Sequence, residues 1–175
     1  MLYSYIRPFL TYLPTHSSGP FTFANGTTLL SYTIRGGQFK QSFGLAVGPT
    51  PHGPFEPRTG DWGLPIVITK GEDSFLWQDS RGHFHLLYHT GGAIGGHAFS
   101  RDTFTWQQSK GEAYTATVPH HGGHTKYAMR QRPALVKNGD GQLVALVTGV
   151  GIHLGCGSDR VFTLLQKLRL GSWSH

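Results

Sequence analysis

RGHFHLLYHT, residues 81–90, opens with a polar residue and a glycine, which signal a turn, and continues as an apolar and aromatic run of strand length. Two other stretches share this plan, NGTTLLSYT at 25–33 and DGQLVALVTG at 140–149. Their glycines, Gly26, Gly82 and Gly141, recur at intervals of 56 and 59 residues. That is somewhat longer than the ~40–50 residues of common propeller blades. A second strand candidate follows each one: FGLAVG at 43–48, GGHAFS at 95–100 and RVFTLLQKL at 160–168. Helical periodicity is hard to find, so the chain is all-β. Hairpins repeated at a near-constant period suggest blades of antiparallel sheet. Alternating strands also fit a meandering β-sandwich, and the pattern alone leaves both open.

The 175 residues fit one domain, 1–175, large enough to bury a core. Charged residues make up 14% and aromatic residues 13%, with 25 glycines, which excludes the charge-rich, aromatic-poor composition of disordered chains. The formal charge of +6 permits contact with phosphates, but Lys and Arg are scattered singly, so no nucleic-acid partner is expected. No run approaches the ~18 apolar residues of a membrane span. Arg7 and Pro8 interrupt the apolar stretch MLYSYIRPFLTYLP and no basic segment precedes it, so no signal peptide is expected there. Cys156 is the single cysteine and rules out an internal disulfide. Compartment and oligomeric state stay open.

The order of signals carries a resemblance. An NGT-type strand is followed by GLAVGPTPHGPFEP, EDSFLWQDSRGHFHLLYHT, GGHAFSRDTFTW, RQRPALVKNGDGQ and SDRVFTLLQ. Residues 15–168 resemble the five-bladed β-propeller glycoside hydrolases of the family 43 type, in the arabinanase/levansucrase/invertase superfamily. The resemblance implies a partial β-propeller of about three blades, an oligo- or polysaccharide partner, no cofactor, and relatives that are commonly extracellular. It also implies an inverting mechanism, in which a general acid and a general base flank the sugar ~6.5–9.5 Å apart and a third carboxylate tunes the acid. Asp73 in GEDSFLW resembles that supporting carboxylate, with Ser74 where relatives carry Pro, and Glu72 is the alternative. In a regular strand only one of these adjacent acids faces the site, the other being solvated or paired, and both acids capping a turn is equally compatible. The Glu expected before an Arg-Pro pair is Gln131, which cannot exchange a catalytic proton. Residues 1–60 contain no Asp for the base and only Glu56. The resemblance therefore implies a scaffold whose acid and base are missing, a glycan-binding module, or a decayed fragment.

Further residues complete the expected groove. The resemblance implies that His97 in GGHAFS holds a sugar hydroxyl or a central-channel ion, although it also fits a core histidine bonded to backbone. Arg130 and Arg132, flanking Gln131, suit sugar hydroxyls or carboxylates, and Trp62, Trp77 and Tyr88 could stack on sugar rings, although Trp77 also fits a core. Alternation puts His83, His85 and His89 on one strand face, where two imidazoles could share a metal, but no third ligand is evident and no metal is assigned. PHHGGH, with His120, His121 and His124, reads as a flexible surface loop. SRDTFTW at 100–106 resembles a sialidase Asp-box with Phe104 for Gly, which implies that Asp102 caps a turn with Trp106 packed beneath it. No nucleophile elbow, P-loop, dinucleotide fingerprint or metalloprotease helix is present.

Overall fold

The computed structural model describes residues 19–34, 41–60, 66–152 and 161–168. Trp62, Cys156 and the N-terminal MLYSYIRPFLTYLP lie outside them. Among the described residues there are thirteen strands and no helix, so none is long and apolar enough to cross a membrane. The first sheet is the antiparallel meander β1 (Gly19–Thr22), β2 (Thr28–Ile34), β3 (Ser42–Gly48) and β4 (Glu56–Pro57). The second repeats it with β5 (Glu72–Gln78), β6 (Phe84–Gly91), β7 (Ile94–Ser100) and β8 (Gln107–Gln108). A hairpin of β9 (Thr117–His120) and β10 (Gly123–Lys126) leads to the third sheet, β11 (Met129–Lys137), β12 (Leu143–Gly151) and β13 (Val161–Lys167). The first strands of successive sheets lie against one another, β1 on β5 and β5 on β11, so the three sheets are consecutive blades.

The repeated glycines mark one turn used three times. Gly26, Gly82 and Gly141 have φ of 88°, 84° and 77°, the left-handed region that glycine occupies without a Cβ penalty. Each donates its N–H to the carbonyl three residues earlier, on Phe23, Asp79 and Asn138, at 2.9, 3.0 and 3.0 Å. Those same three residues donate to the carbonyls of Thr27, His83 and Gln142 at 2.9 Å each. The expected surface loop PHHGGH is instead a tight hairpin, with His120 in register with Gly123 and with the turn at His121 and Gly122.

The run FHLLYH does not alternate apolar with polar because β6 is covered on both sides. Phe84, Leu86 and Tyr88 face the first blade and join Leu29, Phe43, Leu45 and Leu76 in one core. Leu87 faces the third blade with Trp77, Tyr114, Leu135 and Leu146. Each such fully buried large side chain contributes roughly 1.5–3 kcal/mol. Val118, Tyr127 and Val150 form a smaller cluster that seats the hairpin on the third blade. Ser74, where relatives carry proline, shares a 2.9 Å hydrogen bond with Ser31, which also donates to Gly19 O at 3.1 Å and so ties the first two blades together.

The Asp-box-like turn is built as its sequence implies. Asp102 Oδ1 accepts from the backbone N–H of Phe104 at 2.8 Å and of Thr105 at 2.7 Å, and from Ser100 Oγ at 3.0 Å. Trp106 packs on the first core, and its indole donates to Thr103 O at 3.3 Å. Phe104, replacing the usual glycine, is capped by the Arg58 guanidinium 4.1 Å from its ring centre. These backbone donors hold the Asp102 carboxyl below the usual carboxylate range. Asp102→Ala is expected to cost about 1–2 kcal/mol, read as a lower urea midpoint at unchanged slope.

Candidate functional site

The inner strands β5 and β11 begin alike. In β5, Glu72 pairs with His89 and Phe75 with Leu87, so Asp73 and Ser74 share one partner position across a β-bulge. In β11, Gln131 pairs with Gly149 and Ala134 with Val147, leaving Arg132 and Pro133 in the same relation. Asp73 has φ 56° and Arg132 φ 54°, left-handed conformations uncommon for residues with side chains. Glu72-Asp73-Ser74 and Gln131-Arg132-Pro133 are therefore equivalent segments of adjacent blades. Bulges of this kind re-aim side chains and concentrate beside functional sites. They also break the regular alternation that would have sent Glu72 and Asp73 to opposite faces.

Around these segments Glu72 accepts a 2.9 Å hydrogen bond from Gln41 Nε2, which ties it to the first blade. Asp73 lies close enough to Tyr114 that its charge adds to the effect of burial in raising the phenol well above its ordinary range, against the opposing pull of Arg130. Gln131 is half-buried and Arg132 exposed. Glu72, Asp73, Gln131 and Arg132 are thus brought to one end of the inner strands.

The other expected groove residues are placed elsewhere. Arg130 is a correction: it is 1% exposed and its guanidinium donates to Thr148 Oγ1, Thr115 O and Gln166 Oε1 at 3.2, 2.9 and 2.7 Å. Its donors hold the interior together and are not offered to a sugar. Trp77 and Tyr88, each 4% exposed, are core residues and not exposed stacking platforms. Trp77 stands four residues along β5 from Asp73, about 13 Å at the usual strand rise, stacked on His85 with ring centres 4.9 Å apart. His97 joins this group, with its Nε2 3.0 Å from His85 Nδ1. His85 therefore pairs across to β7 and does not share a ligand with His83 or His89. His89 Nε2 is occupied by Gly92 O at 3.2 Å. Among the described residues no three His, Cys, Asp or Glu side chains gather as a metal site.

Burial, then the neighbouring His85, pushes His97 from the ordinary 6.5 down to about 4. Burial also lowers His85, against the raising effect of Asp79. The unfolded chain then binds more protons than the folded one between pH 4 and 6.5, so the stability is fully present above about pH 6.5 and is lost as pH falls toward 4. Discounted for the part of the ring that meets water, the loss is on the order of 2 kcal/mol. It is read as a urea midpoint that falls across this window and is flatter in His97→Gln.

No family model matches the chain, and no curated protein matches it. The fold is an all-β partial propeller. A structure provisionally described as an exo-beta-1,3-galactanase from Bifidobacterium bifidum s17 superposes with a TM-score of 0.55 at 14% identity, over 89% of this chain and 49% of that one. The endo-arabinase from Bacteroides thetaiotaomicron VPI-5482 gives a TM-score of 0.41 at 12% identity, over 89% and 75%. The chain spans about half the length of the galactanase structure.

Proposed function

We propose that this chain binds a polysaccharide on a family 43-like glycosidase scaffold that lacks the inverting acid–base pair, at the shared end of β5 and β11. The observation that carries this is the matched pair of left-handed bulges at Asp73 and Arg132. Left-handed non-glycine residues cost of order 1 kcal/mol or more, and glycine would remove that cost. Glu72, Asp73, Gln131 and Arg132 together offer the acceptors and donors that sugar hydroxyls need. Where a catalytic carboxylate would face Asp73 from β11, the chain supplies Gln131, whose amide cannot protonate a glycosidic oxygen.

The test is a binding titration of the purified chain against arabinan, arabinoxylan, xylan, β-1,3-galactan and levan, with sugar release followed in parallel. Binding to at least one without release is expected. Arg132→Gly should weaken that binding about tenfold or more while leaving folding stability unchanged or raised by up to about 1 kcal/mol. A folded chain that binds none of the polymers would sink the proposal. Release that vanishes in Asp73→Asn would replace it with an active hydrolase.

A further inference from the structure

A cleft of about 1410 Å³ opens between the second and third blades, away from the bulges, and is lined by Trp77, His97, Ser109, Arg101, Lys137 and Leu164 among others. Along one wall a chain of polar side chains crosses three strands. Ser109 Oγ, exposed just beyond β8, lies 2.7 Å from His97 Nδ1 on β7. His97 Nε2 lies 3.0 Å from His85 Nδ1 on β6. His85 Nε2 lies 3.2 Å from Asp79 Oδ2, within ion-pair reach but outside hydrogen-bond geometry, so it has no hydrogen-bond partner. Arg81 Nε and Nη2 bind the same carboxylate oxygen at 2.9 and 2.8 Å. The Trp77 ring, stacked on His85 and 5.7 Å from His97, holds both imidazoles nearly coplanar.

The carboxylate fixes the direction of this chain. Burial alone would raise Asp79, but hydrogen bonds from the Arg81 side chain and from the backbone N–H groups of Arg81 and His83, with the nearby His85 ring, outweigh it and keep the carboxyl far below its usual range. An ionised Asp79 only accepts, so His85 carries its proton on Nε2 and, being neutral, presents Nδ1 as an acceptor. His97 then donates through Nε2, and its Nδ1 lone pair faces Ser109, whose hydroxyl donates. The opposite tautomers would set the lone pair of His85 against the carboxylate.

We propose that Ser109 is the nucleophile of a second site in this cleft, an acyl-transfer site for carboxylic esters. As Ser109 Oγ bonds the acyl carbon, its proton passes to His97 Nδ1. The Nε2 proton of His97 moves to His85 Nδ1, so the positive charge rests on the imidazole beside Asp79. When the acyl–oxygen bond breaks, the protons step back and His97 Nδ1 protonates the departing alkoxide, leaving an alcohol and acyl-Ser109. Water repeats the sequence, giving its proton to His97, releasing the carboxylic acid and returning a proton to Ser109. His85 and Asp79 are positioning residues, and two imidazoles are required because His97 itself is remote from the carboxylate. The anionic intermediate forms in a cleft that also holds Arg101 and Lys137.

The experiment is labelling of the full chain with a fluorophosphonate, with the adduct located by peptide mass and the rate followed from pH 4 to 9. A single adduct on Ser109 is expected, absent in Ser109→Ala and at least ~10²-fold slower in His97→Gln. His85→Gln should slow it and move the pH midpoint. Should the histidine variants fail to fold, Ser109→Cys in a Cys156→Ser background is alkylated by iodoacetamide at pH 6 faster than a cysteine peptide. No Ser109 adduct on the folded chain, equal rates in His97→Gln, or alkylation of the Ser109→Cys variant no faster than that of the peptide would overturn the proposal.

Discussion

Arg130→Ala lowers the free energy of unfolding by about 3–5 kcal/mol, the range for removing a large, fully engaged buried side chain. Three effects compete. Deleting the guanidinium relieves the desolvation of a buried cation, seen in the downward shift that burial imposes on Arg130. Against this, the side chain leaves a cavity, and Thr148 Oγ1, Thr115 O and Gln166 Oε1 all lose their donor. Thr148 Oγ1, on a residue 0% exposed, is stranded away from water at about 1–3 kcal/mol, whereas Thr115 O and Gln166 Oε1 are only partly buried and regain water; with the cavity added, the losses exceed the relief. The three acceptors lie on β12, on the linker before the hairpin and on β13, while the Tyr114 ring is 4.8 Å from Cζ. One side chain therefore binds the third blade together and joins it to the second. Arg130→Met, which keeps most of the volume, should cost clearly less than Ala. Arg130→Lys should fall between them, because an ammonium cannot reach three separately placed acceptors. Urea unfolding of the four proteins checks the order, and an Ala variant within 1 kcal/mol of Arg130 would show that desolvation relief dominates.

Arg130 also shows where sequence stopped being informative. Beside Gln131 and Arg132 it reads as one member of a basic, sugar-facing triplet, and nothing local separates the three. What separates them is the alternation of β11, which turns Arg130 inward toward Val150 and Thr148, and the bulge, which rotates Arg132 out. The blades were legible because their turns need glycine: Gly26, Gly82 and Gly141 announce themselves by residue type. The bulges were not, because Asp73 and Arg132 reach positive φ without glycine, and only the broken register reveals them. The interior position of Trp77 and Tyr88 was hidden for another reason. A central blade is covered on both faces, so aromatic residues lose the polar alternation that marks an exposed side. The Ser109–His97–His85–Asp79 chain joins residues from four places in sequence, and only the β6–β7–β8 ladder brings them together. The one local hint was His85 and His97, each in a strand-like run and twelve residues apart across a hairpin.

Gly95→Ala is the second change expected to be severe, at about 3 kcal/mol, the upper end of the usual cost of overpacking. Gly95 is not a turn glycine, and its role is to let an aromatic ring lie flat on the backbone. A Cβ built there would stand 2.0 Å from Tyr114 Cε1 and 2.2 Å from Cδ1, far inside contact distance. Neither partner can retreat easily. Gly95 N donates to Tyr114 O at 2.9 Å and Ala113 N donates to Gly95 O at 2.8 Å, so the two backbones are laced together. The Tyr114 ring is 5% exposed, packed with Trp77, Leu87, Leu135 and Leu146, and has the Arg130 guanidinium over its face. A displaced ring presses on Arg130 and disturbs the neighbourhood of Asp73, so ligand binding at the bulges should weaken together with stability. The steric origin is separable from a general weakening of β7. Tyr114→Leu removes the ring atoms that clash, so Gly95→Ala in that background should cost at least ~1.5 kcal/mol less than in the parent, a coupling of the size seen between contacting residues. Additive costs in the double-mutant cycle would mean that β7 shifts to accept the methyl group and that the close approach of Tyr114 to Gly95 does not hold the second blade against the third.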